Sequence, residues 1–400
     1  MRNLFQCVAA NSNHKNWESI IARQSSLYPR NNDIRSEFER DFTRILHSNA
    51  YRRLKHKTQV FYSPQNDHIC TRIEHVNHVE SVSYTIANYL GLNTELTRAI
   101  SVAHDLGHSP FGHQGEFILS AICKRDLKIP FWHEKNGLYF VDNIELLEDI
   151  EGNKRNLNLT YGVRDGIISH CGEIDENSIR PREENIDLHF YEYPNQYAPY
   201  TWEGCIVKIS DKISYIGRDI EDAITLGILN DHLEELYDLL HISDRNLVIN
   251  NTVIMNNLIY DLCKNSSPEK GLCFSEDSIL LMNQIKSFNY QYIYSSDRLK
   301  PSNHYFSLVL NEIYDILKST FDGKDTISRL KSLEKFYPNL VSGFLNWINS
   351  FWNIGDRTHL KNTILFDVSN EKDYLTAIIS YISGMTDKFA IDTYQEIISF

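Results

Sequence analysis

The chain has 400 residues, of which 42% are hydrophobic and 23% are charged, so it is long enough for one large domain or two ordinary ones. No apolar run reaches the roughly 18 residues that span a bilayer, and the first eight residues do not predict a signal peptide. The net charge of −13 argues against a general basic surface for nucleic acid or anionic lipid, and the seven dispersed cysteines indicate reduced thiols, so we expect a cytoplasmic protein without a membrane partner.

Helical periodicity recurs along the chain and only 10 residues are proline, which predicts an all-α fold. The first predicted helix, residues 33–57, is unusually basic for an acidic protein. A second helix is predicted over residues 71–89, and a third begins at Asn93 or Thr94 and ends before Gly107. The apolar residues of the third helix have the spacing of one buried face: Leu96, Ala99, Ile100 and Ala103.

Three further segments complete the predicted fold. Residues 142–151 predict a short helix, and residues 182–200 predict an excursion loop that could hold a small β excursion. Residues 205–229 predict a strong amphipathic helix, and polar connectors separate further helices after it. We predict a helical core with N- and C-terminal helical extensions, divided into an N-terminal segment, a core and a C-terminal region packed on that core: 1–32, 33–230 and 231–400.

The stretch AHDLGHSPFGHQGE, residues 103–116, concentrates titratable side chains where the third helix ends. A His-Asp pair alone is uninformative, because a chain with 16 histidines contains on the order of one such pair by chance. With His104 and Asp105, however, His75 on the preceding helix and Asp211 on the amphipathic helix make a nitrogen and oxygen donor set. This set suits a divalent metal such as Mn, Mg, Co, Fe, Ni or Zn and leaves positions for water and substrate.

The helix that carries Asp211 has two distinct sides at 100° per residue. One side is apolar: Ile206, Ile209, Ile213, Ile216 and Ile220. The opposite side holds a cation, an aromatic ring and several acids: Asp211, Lys212, Tyr215, Asp219 and Asp222. This polar side is either a solvated surface, as is usual for charged residues, or the wall of a site.

His113 and Glu116 are three residues apart, so they are neighbours if a helix restarts near His113. A histidine beside a carboxylate is a natural acid/base unit. Alternatively, His113 only caps the new helix, and the spacing alone does not decide between the two interpretations.

The order His75, His104-Asp105 and Asp211 resembles the H…HD…D signature of the HD phosphohydrolase superfamily. The fuller pattern resembles the dGTPase-like deoxynucleoside triphosphate triphosphohydrolases, from about residue 33 to the C-terminus. The segments that carry this resemblance are RILHSNAYRRLKHKTQVF, TRIEH, AHDLGHSPFGHQGE, LNLTYGVRDGII, ISDKISYIGRDIEDAI and YISGMTDKFAIDTY.

The resemblance implies a role for each matching residue. It implies four metal ligands: His75, His104, Asp105 and Asp211. It implies four catalytic groups: His108, His113, Glu116 and His133. It implies phosphate contacts from Arg72 and Lys212, a deoxyribose stacked on Tyr215, a 3′-hydroxyl bound by Asp219, and Gln59 at the sugar and base end.

The resemblance also implies a reaction, in which water attacks the α-phosphorus of dGTP or several dNTPs and releases deoxynucleoside and tripolyphosphate. Because a triphosphate carries about four negative charges, we expect arginines of residues 33–57 to help bind it. The implied partners are further copies of the chain, commonly in a hexamer, an allosteric nucleotide, and in part of the family single-stranded DNA. Two alternatives stay open: another HD-domain nucleotide phosphohydrolase (a 5′-nucleotidase or phosphodiesterase), or a nucleotide-sensing or DNA-binding regulator that uses the same site.

Overall fold

The computed structural model describes residues 3–27, 33–62, 66–171, 177–245, 247 and 249–399. These residues form 17 α-helices and one two-stranded sheet, which confirms the prediction of an all-α fold. Within the described ranges, no helix is long and apolar enough to cross a membrane.

The helices follow one another along the chain with short connections. They are α1 Trp17–Ile21, α2 Glu37–His47, α3 Asn49–Arg53, α4 Arg72–Leu90, α5 Thr94–Ala103, α6 Gly112–Ile122, α7 His133–Tyr139, α8 Tyr161–Ser169, α9 Trp202–Thr225, α10 Leu233–Leu239, α11 Asn251–Asn265, α12 Glu276–Phe288, α13 Lys300–Ser319, α14 Thr326–Leu333, α15 Pro338–Ile348, α16 Glu371–Ser383 and α17 Asp387–Ile398. The strands β1 Leu146–Glu148 and β2 Lys154–Asn156 pair antiparallel, with Leu147 opposite Arg155.

Helix α5 is the centre of the fold and packs against α2, α4, α8 and α9. Its predicted apolar residues are all buried, from Leu96 to Ala103, because they lie on the side that faces these neighbours. The Asn93 side chain accepts hydrogen bonds from the backbone N–H groups of Glu95 and Leu96, so Asn93, and not Thr94, is the N-cap.

Two hydrophobic clusters surround this centre. One joins α5, α6 and α8 to the C-terminal helices α13 and α15–α17. The other joins the isoleucine face of α9 to α4, α11 and α12. Helices after residue 230 therefore contribute to both clusters, α13 and α15–α17 to the first and α11 and α12 to the second. The predicted division at residues 32 and 230 remains a proposal.

The predicted helix over residues 33–57 is broken in two. Helix α2 ends at His47, and the Ser48 side chain accepts the backbone N–H of Tyr51 at 3.2 Å. A serine that caps a new helix cannot continue the old one, because its backbone is extended. The basic residues of this segment therefore lie on two short helices.

Two local predictions were wrong. Residues 140–144 continue α7 as a π-helical turn, and the chain then enters β1 instead of a helix over 142–151. The Asp149 side chain accepts the backbone N–H groups of Glu151 and Asn153, which stabilises a hairpin in place of a helix.

The β excursion predicted near residues 182–200 does not form. All of these residues are described, and they make a loop with a single 3₁₀ turn, Leu188–Phe190. The loop is held by side chains: Arg182 pairs with Asp165 and donates to the Ala198 carbonyl at 2.6 Å. Because these contacts anchor the loop, it needs no strand ladder.

Candidate active site

A capping box fixes the start of α4. The backbone N–H of Thr71 donates to Glu74 Oε2 at 2.7 Å, and the Thr71 side chain faces the first turn. This start places Arg72 and His75 three residues apart, on the same side of the helix. Both side chains are buried and point toward the end of α5.

The turn after α5 holds the HD pair against α7. His104 Nδ1 donates to the Ser101 carbonyl at 2.7 Å, which fixes the imidazole ring. Gly107 packs directly on α7, since a Cβ at this position would lie 2.1 Å from the backbone nitrogen of Gly137. Asn136 Nδ2 donates to the Gly107 carbonyl at 2.7 Å, so the turn and α7 form one rigid unit.

A second turn leads into α6. Phe111 has a φ of 65°, a left-handed conformation that is rare for a bulky residue. Its N–H donates to Asp387 Oδ1 at 2.9 Å, and the N–H of Thr58 donates to Asp387 Oδ2 at 2.7 Å. One buried carboxylate on α17 thus holds the turn that directs His113 and Glu116.

Four predicted ligands converge between α4, α5 and α9. His75 Nε2 lies 3.0 Å from Asp211 Oδ1 and 3.7 Å from Asp105 Oδ2. His104 Nε2 lies 3.5 Å from Asp105 Oδ1 and 3.9 Å from Asp211 Oδ1. The structure therefore brings together two imidazole nitrogens and two carboxylates, three residues of which have ligand atoms within 4.8 Å of one another.

The chemistry of this cluster fits a divalent metal. His104 Nε2 is buried and has no hydrogen-bond partner among the described residues, which is unusual unless another group binds it. Burial raises the pKa of the Asp105 carboxyl, but the charges of His104, His108 and Arg72 outweigh burial and hold that pKa well below its ordinary value. Ionised carboxylate and oriented imidazole are the forms that ligate a metal.

Four predicted catalytic groups form a second layer beside the ligands. His108 Nε2 lies 3.0 Å from Asp105 Oδ1, and its ring stacks on that of His133 with centroids 3.8 Å apart. His133 Nδ1 donates to Glu116 Oε2 at 2.9 Å, whereas His113 Nδ1 lies 3.8 Å from the same oxygen. Glu116 therefore orients His133 more closely than His113, a preference that sequence spacing did not indicate.

The electrostatics of these histidines differ. Burial and the Arg72 charge lower the pKa of His108 well below its ordinary value. Burial also acts to lower the pKa of His133, but the carboxylates of Glu134 and Glu116 raise it to about 10. Two stacked imidazoles thus have opposite preferences for a proton.

The polar side of α9 faces inward. Lys212, Asp219 and Asp222 are 4%, 2% and 3% exposed, so the interpretation of this side as a solvated surface is wrong. Tyr294 donates its hydroxyl hydrogen to Asp219 Oδ2 at 2.5 Å. Burial raises the pKa of Asp219 to about 6, although this hydrogen bond lowers it.

One cavity of about 520 Å³ joins these groups. Its wall includes most of the predicted site residues: Gln59, Arg72, His75, Asp105, His108, His113, His133, Asp211, Lys212, Tyr215 and Asp219. His104 and Glu116 lie behind the wall, against Asp105 and His133. Arg72 Nη1 lies 3.0 Å from Asp105 Oδ2, and its Nη2 donates to the Gln59 carbonyl at 2.9 Å.

Comparison with known proteins identifies the kind of site this is. Residues 72–216 match the family model described as HD domain. The chain is 32% identical over 366 residues to a deoxyguanosinetriphosphate triphosphohydrolase-like protein of Caldanaerobacter subterraneus, covering 91% of this chain and 86% of the relative. A protein of the same description from Rickettsia canadensis is 31% identical over 384 residues, covering 92% and 94%.

The chain belongs to the deoxyguanosinetriphosphate triphosphohydrolase-like family of HD-domain proteins. It is therefore an HD-domain phosphohydrolase whose histidine and aspartate cluster is suited to a divalent metal. The HD domain extends from α4 into α9, so it contains all four converging ligands. Other residues that line the cavity, among them Gln59, Asp219 and Tyr294, lie outside the HD domain.

Sequence reasoning missed several groups in the wall of this HD-domain cavity. They are Glu134, His170, Cys171, Lys208, Tyr290, Tyr294, Asn303 and Phe306. His170 directly follows α8, and no sequence spacing connects it to the HD pair. The aromatic residues come from α13 and the π-helical turn 289–294, whose approach depends on tertiary packing.

The expectation that arginines of residues 33–57 bind the triphosphate in this cavity was wrong. They line a separate cavity of about 630 Å³ between α2, α3, β1 and α15: Arg35, Arg40, Arg44, Arg52 and Arg53. Basic residues from both sides of the break at Ser48 line this second cavity, and none of them lines the cavity beside the HD pair. From the same segment only Lys57 reaches the site, where its ammonium donates to the backbone carbonyl of His108.

Proposed function

We propose that this protein hydrolyses deoxynucleoside triphosphates to deoxynucleoside and inorganic tripolyphosphate in a metal-dependent reaction. The observation that carries the proposal is a single cavity whose wall joins an HD ligand cluster, a layer of histidines and the polar side of α9. The descriptions of the related proteins, deoxyguanosinetriphosphate triphosphohydrolase-like, support the same substrate class.

The metal would be held by His75, His104, Asp105 and Asp211. When bound, a divalent cation supplies Lewis acidity toward a phosphoryl oxygen and lowers the pKa of a coordinated water. Because the ligand set is nitrogen and oxygen, Mn, Mg, Co, Fe, Ni and Zn are all candidates.

The remaining groups would bind and orient the nucleotide. Arg72 and Lys212 supply positive charge for the phosphates. Tyr215 offers a flat face for the deoxyribose, and Asp219 offers a carboxylate oxygen for its 3′-hydroxyl. Gln59 Oε1 is buried and lacks a hydrogen-bond partner within the described part of the chain, so it is available at the sugar and base end.

Proton transfer would fall to the histidines beside the ligands. The His113 side chain is 70% exposed and lines the cavity, so it can exchange a proton with the attacking water or the leaving 5′-oxygen. Beside it, buried His108 and partly buried His133 and Glu116 form a mutually oriented group. In this group Glu116 positions His133 and allows the two rings to stabilise charge on the phosphates.

The products test the proposal directly. Purified protein is incubated separately with each dNTP and with Mg²⁺, Mn²⁺ or Co²⁺, and the phosphate products are separated by anion exchange. We expect equal amounts of deoxynucleoside and tripolyphosphate, and in oxygen-18 water the label should enter tripolyphosphate because the α-phosphorus is attacked. Pyrophosphate or orthophosphate as the first product would overturn this reaction, and the rates with the four bases would give the base preference.

The same assay separates the alternatives. Faster turnover of nucleoside monophosphates or cyclic nucleotides would favour a 5′-nucleotidase or phosphodiesterase. Nucleotide binding without turnover, with all metals supplied, would favour a regulator.

We also propose, on family membership, a cytoplasmic homo-oligomer such as a hexamer, with a regulatory nucleotide. The second cavity has the positive charge that a nucleotide phosphate requires, including Arg52 and Lys154. Single-stranded DNA is a further partner that the resemblance implies. Analytical ultracentrifugation, with and without nucleotide, tests the assembly.

A further inference from the structure

The first residue of α17, Asp387, connects the C-terminal helices to two segments of the candidate active site. Its side chain is buried, with 4% exposure. Its Oδ2 accepts the backbone N–H of Thr58 at 2.7 Å, and its Oδ1 accepts that of Phe111 at 2.9 Å. Gln59 directly follows the first donor, and His113 follows the second by two residues. One carboxylate therefore fixes both segments relative to each other.

Lys57 connects the same parts of the chain with the opposite charge. Its buried ammonium donates to the backbone carbonyl of His108 and, at 3.0 Å, to that of Ser383 at the end of α16. The anion thus binds backbone N–H groups and the cation binds backbone carbonyls, so each buried charge has hydrogen-bond partners. We call Lys57 and Asp387 together the charge clamp.

The turn that the charge clamp holds has an unfavourable backbone. Phe111 and Gly112 are both left-handed, with φ of 65° and 57°, and this conformation is rare for a bulky side chain such as that of Phe111. A Cβ on Gly112 would lie 2.9 Å from the Gln59 carbonyl oxygen, so the turn packs directly on that segment. The Phe111 ring also stacks on Phe306, with centroids 4.2 Å apart. A strained turn persists only when such surrounding contacts determine it.

The position of His113 depends on this turn. Its side chain is 70% exposed, and its Nδ1 lies 3.8 Å from Glu116 Oε2. Its ring meets that of His108 edge-on, with centroids 5.4 Å apart. Because these side-chain contacts are long, the backbone of the turn largely sets where the imidazole lies. A general acid or base must be within hydrogen-bond reach of its proton, and misplacement by about 1 Å can cost about 10²-fold in rate.

We propose that Asp387 is a positioning residue for His113. By holding the amides of Thr58 and Phe111, it fixes where the imidazole can exchange a proton with the bound nucleotide or water. The inference rests on the proposed function, in which His113 transfers that proton. Asp387 lies outside the matched HD domain, residues 72–216, and is not among the described residues that line the cavity. The C-terminal helices would therefore contribute to catalysis without contacting the substrate.

A double-mutant cycle tests the positioning role. Asp387→Asn keeps the size of the side chain but replaces one carboxylate oxygen with an amide nitrogen, which cannot accept an N–H. We expect kcat to fall about 10²-fold with little change in KM, measured on the nucleotide that the protein hydrolyses fastest. In a His113→Ala background the same substitution should change kcat by less than about threefold, because residues that act as a unit are not additive. Additive losses in the double variant would overturn the proposal.

Glu203 provides a matched control. It is also a buried carboxylate, and its Oε1 accepts the backbone N–H groups of Ala10 and Asn93, both at 2.9 Å. It is not among the described residues of the cavity wall. Glu203→Gln should therefore lower the melting temperature as Asp387→Asn does but leave kcat unchanged. An equal fall of kcat in the two variants would overturn the proposal, since it would reflect lost stability alone.

Hydrogen exchange measures the charge clamp without any substrate. In Asp387→Asn the amides of residues 57–59 and 108–113 should exchange at least about tenfold faster, because hydrogen bonds to a charged acceptor are lost. In Glu203→Gln these amides should exchange as in the unaltered protein. Unchanged exchange in Asp387→Asn would overturn the proposal. If that variant does not fold, Lys57→Met removes the opposite charge of the clamp and is judged by the same exchange and the same cycle.

The outcome is separable from that of the proposed function. A first product other than tripolyphosphate would refute the proposed reaction, but it would change neither the exchange rates nor the additivity of the variants. Additive variants with tripolyphosphate as the product would refute the positioning role of Asp387 alone.

Discussion

The Tyr294 hydroxyl hydrogen-bonds to the Asp219 carboxylate at 2.5 Å, across 75 positions of sequence. This contact connects the π-helical turn 289–294 to α9 at the end of the cavity proposed to bind the sugar. Asp219 is buried, and burial raises its pKa to about 6 against the lowering effect of Tyr294. The protonation state of the proposed 3′-hydroxyl acceptor therefore changes just below neutral pH.

We predict that hydrolysis falls as the pH drops through about 6, because protonated Asp219 accepts the 3′-hydroxyl less well. In Tyr294→Phe the lowering contact is gone, so the pKa of Asp219 rises and the acid limb of the kcat/KM profile moves to higher pH. Tyr292→Phe is the control, since Tyr292 lies outside the cavity wall. An acid limb that does not move in Tyr294→Phe contradicts the assigned role of Asp219.

Asp211→Asn should abolish most metal-dependent activity. Asp211 Oδ1 is the carboxylate oxygen nearest to His75 Nε2, at 3.0 Å, and loss of a direct ligand should exceed the roughly 10–100-fold effect of losing an outer contact. Steady-state rates at increasing Mn²⁺ measure this loss. Glu221→Gln replaces another acidic residue of the same helix, outside the cavity wall, and this variant should keep the metal dependence of the unaltered protein. Equal behaviour of the two variants would refute the assignment of Asp211 as a ligand.

His113→Ala should reduce kcat by about 10²–10⁴-fold, the range for a removed general acid or base, with little change in KM. His113 is exposed to the cavity and is not needed for packing, so the variant should fold normally. His68→Ala removes an exposed histidine outside the cavity wall and should have full activity. Full turnover by His113→Ala would exclude the acid/base role.

Lys57 should make stability depend on pH. Burial lowers the pKa of its ammonium from 10.5 to about 7, so between these values the unfolded chain holds a proton that the folded chain has lost. The contribution of Lys57 to the free energy of unfolding should therefore rise with pH in this window, by at most about 1.4 kcal/mol per pH unit, whereas the raised pKa of His133, about 10, acts in the opposite direction. Urea unfolding at pH 7, 8 and 9 isolates this contribution as a difference between variants: the free energy of unfolding of the unaltered protein should rise with pH relative to that of Lys57→Met, but not relative to that of Lys55→Met, which alters an exposed lysine.

Gly107→Ala should destabilise the protein and impair the site together. The added Cβ would lie 2.1 Å from backbone atoms of α7, and overpacking of this kind typically costs about 1–3 kcal/mol. Because α7 begins at His133, we expect reduced activity as well as a lower melting temperature. Gly384→Ala, where the nearest atoms lie at an ordinary 3.4 Å, should change neither, and a stable Gly107→Ala variant would contradict the packing described for this turn.

The sequence by itself determined the helical class and the buried face of α5, and it predicted the candidate donor residues. These features are local or periodic: a face repeats every 3.6 residues, a cap such as Asn93 acts within one turn, and His104-Asp105 belongs to a single helix end. The resemblance to HD phosphohydrolases added the pairing of distant ligands, because His75 and Asp211 are 136 residues apart and no local pattern joins them.

Only the tertiary structure decided which polar surfaces meet. The polar side of α9 would suit solvent equally well, and it is buried because α4, α8 and the turn 289–294 close around it. The basic side chains on both sides of Ser48 line another cavity, and packing of α7 on Gly107 and on α8 brings His133 and Glu134 to His170. Such contacts form between segments far apart in sequence, so their partners are set by how helices pack and not by any repeat within one of them.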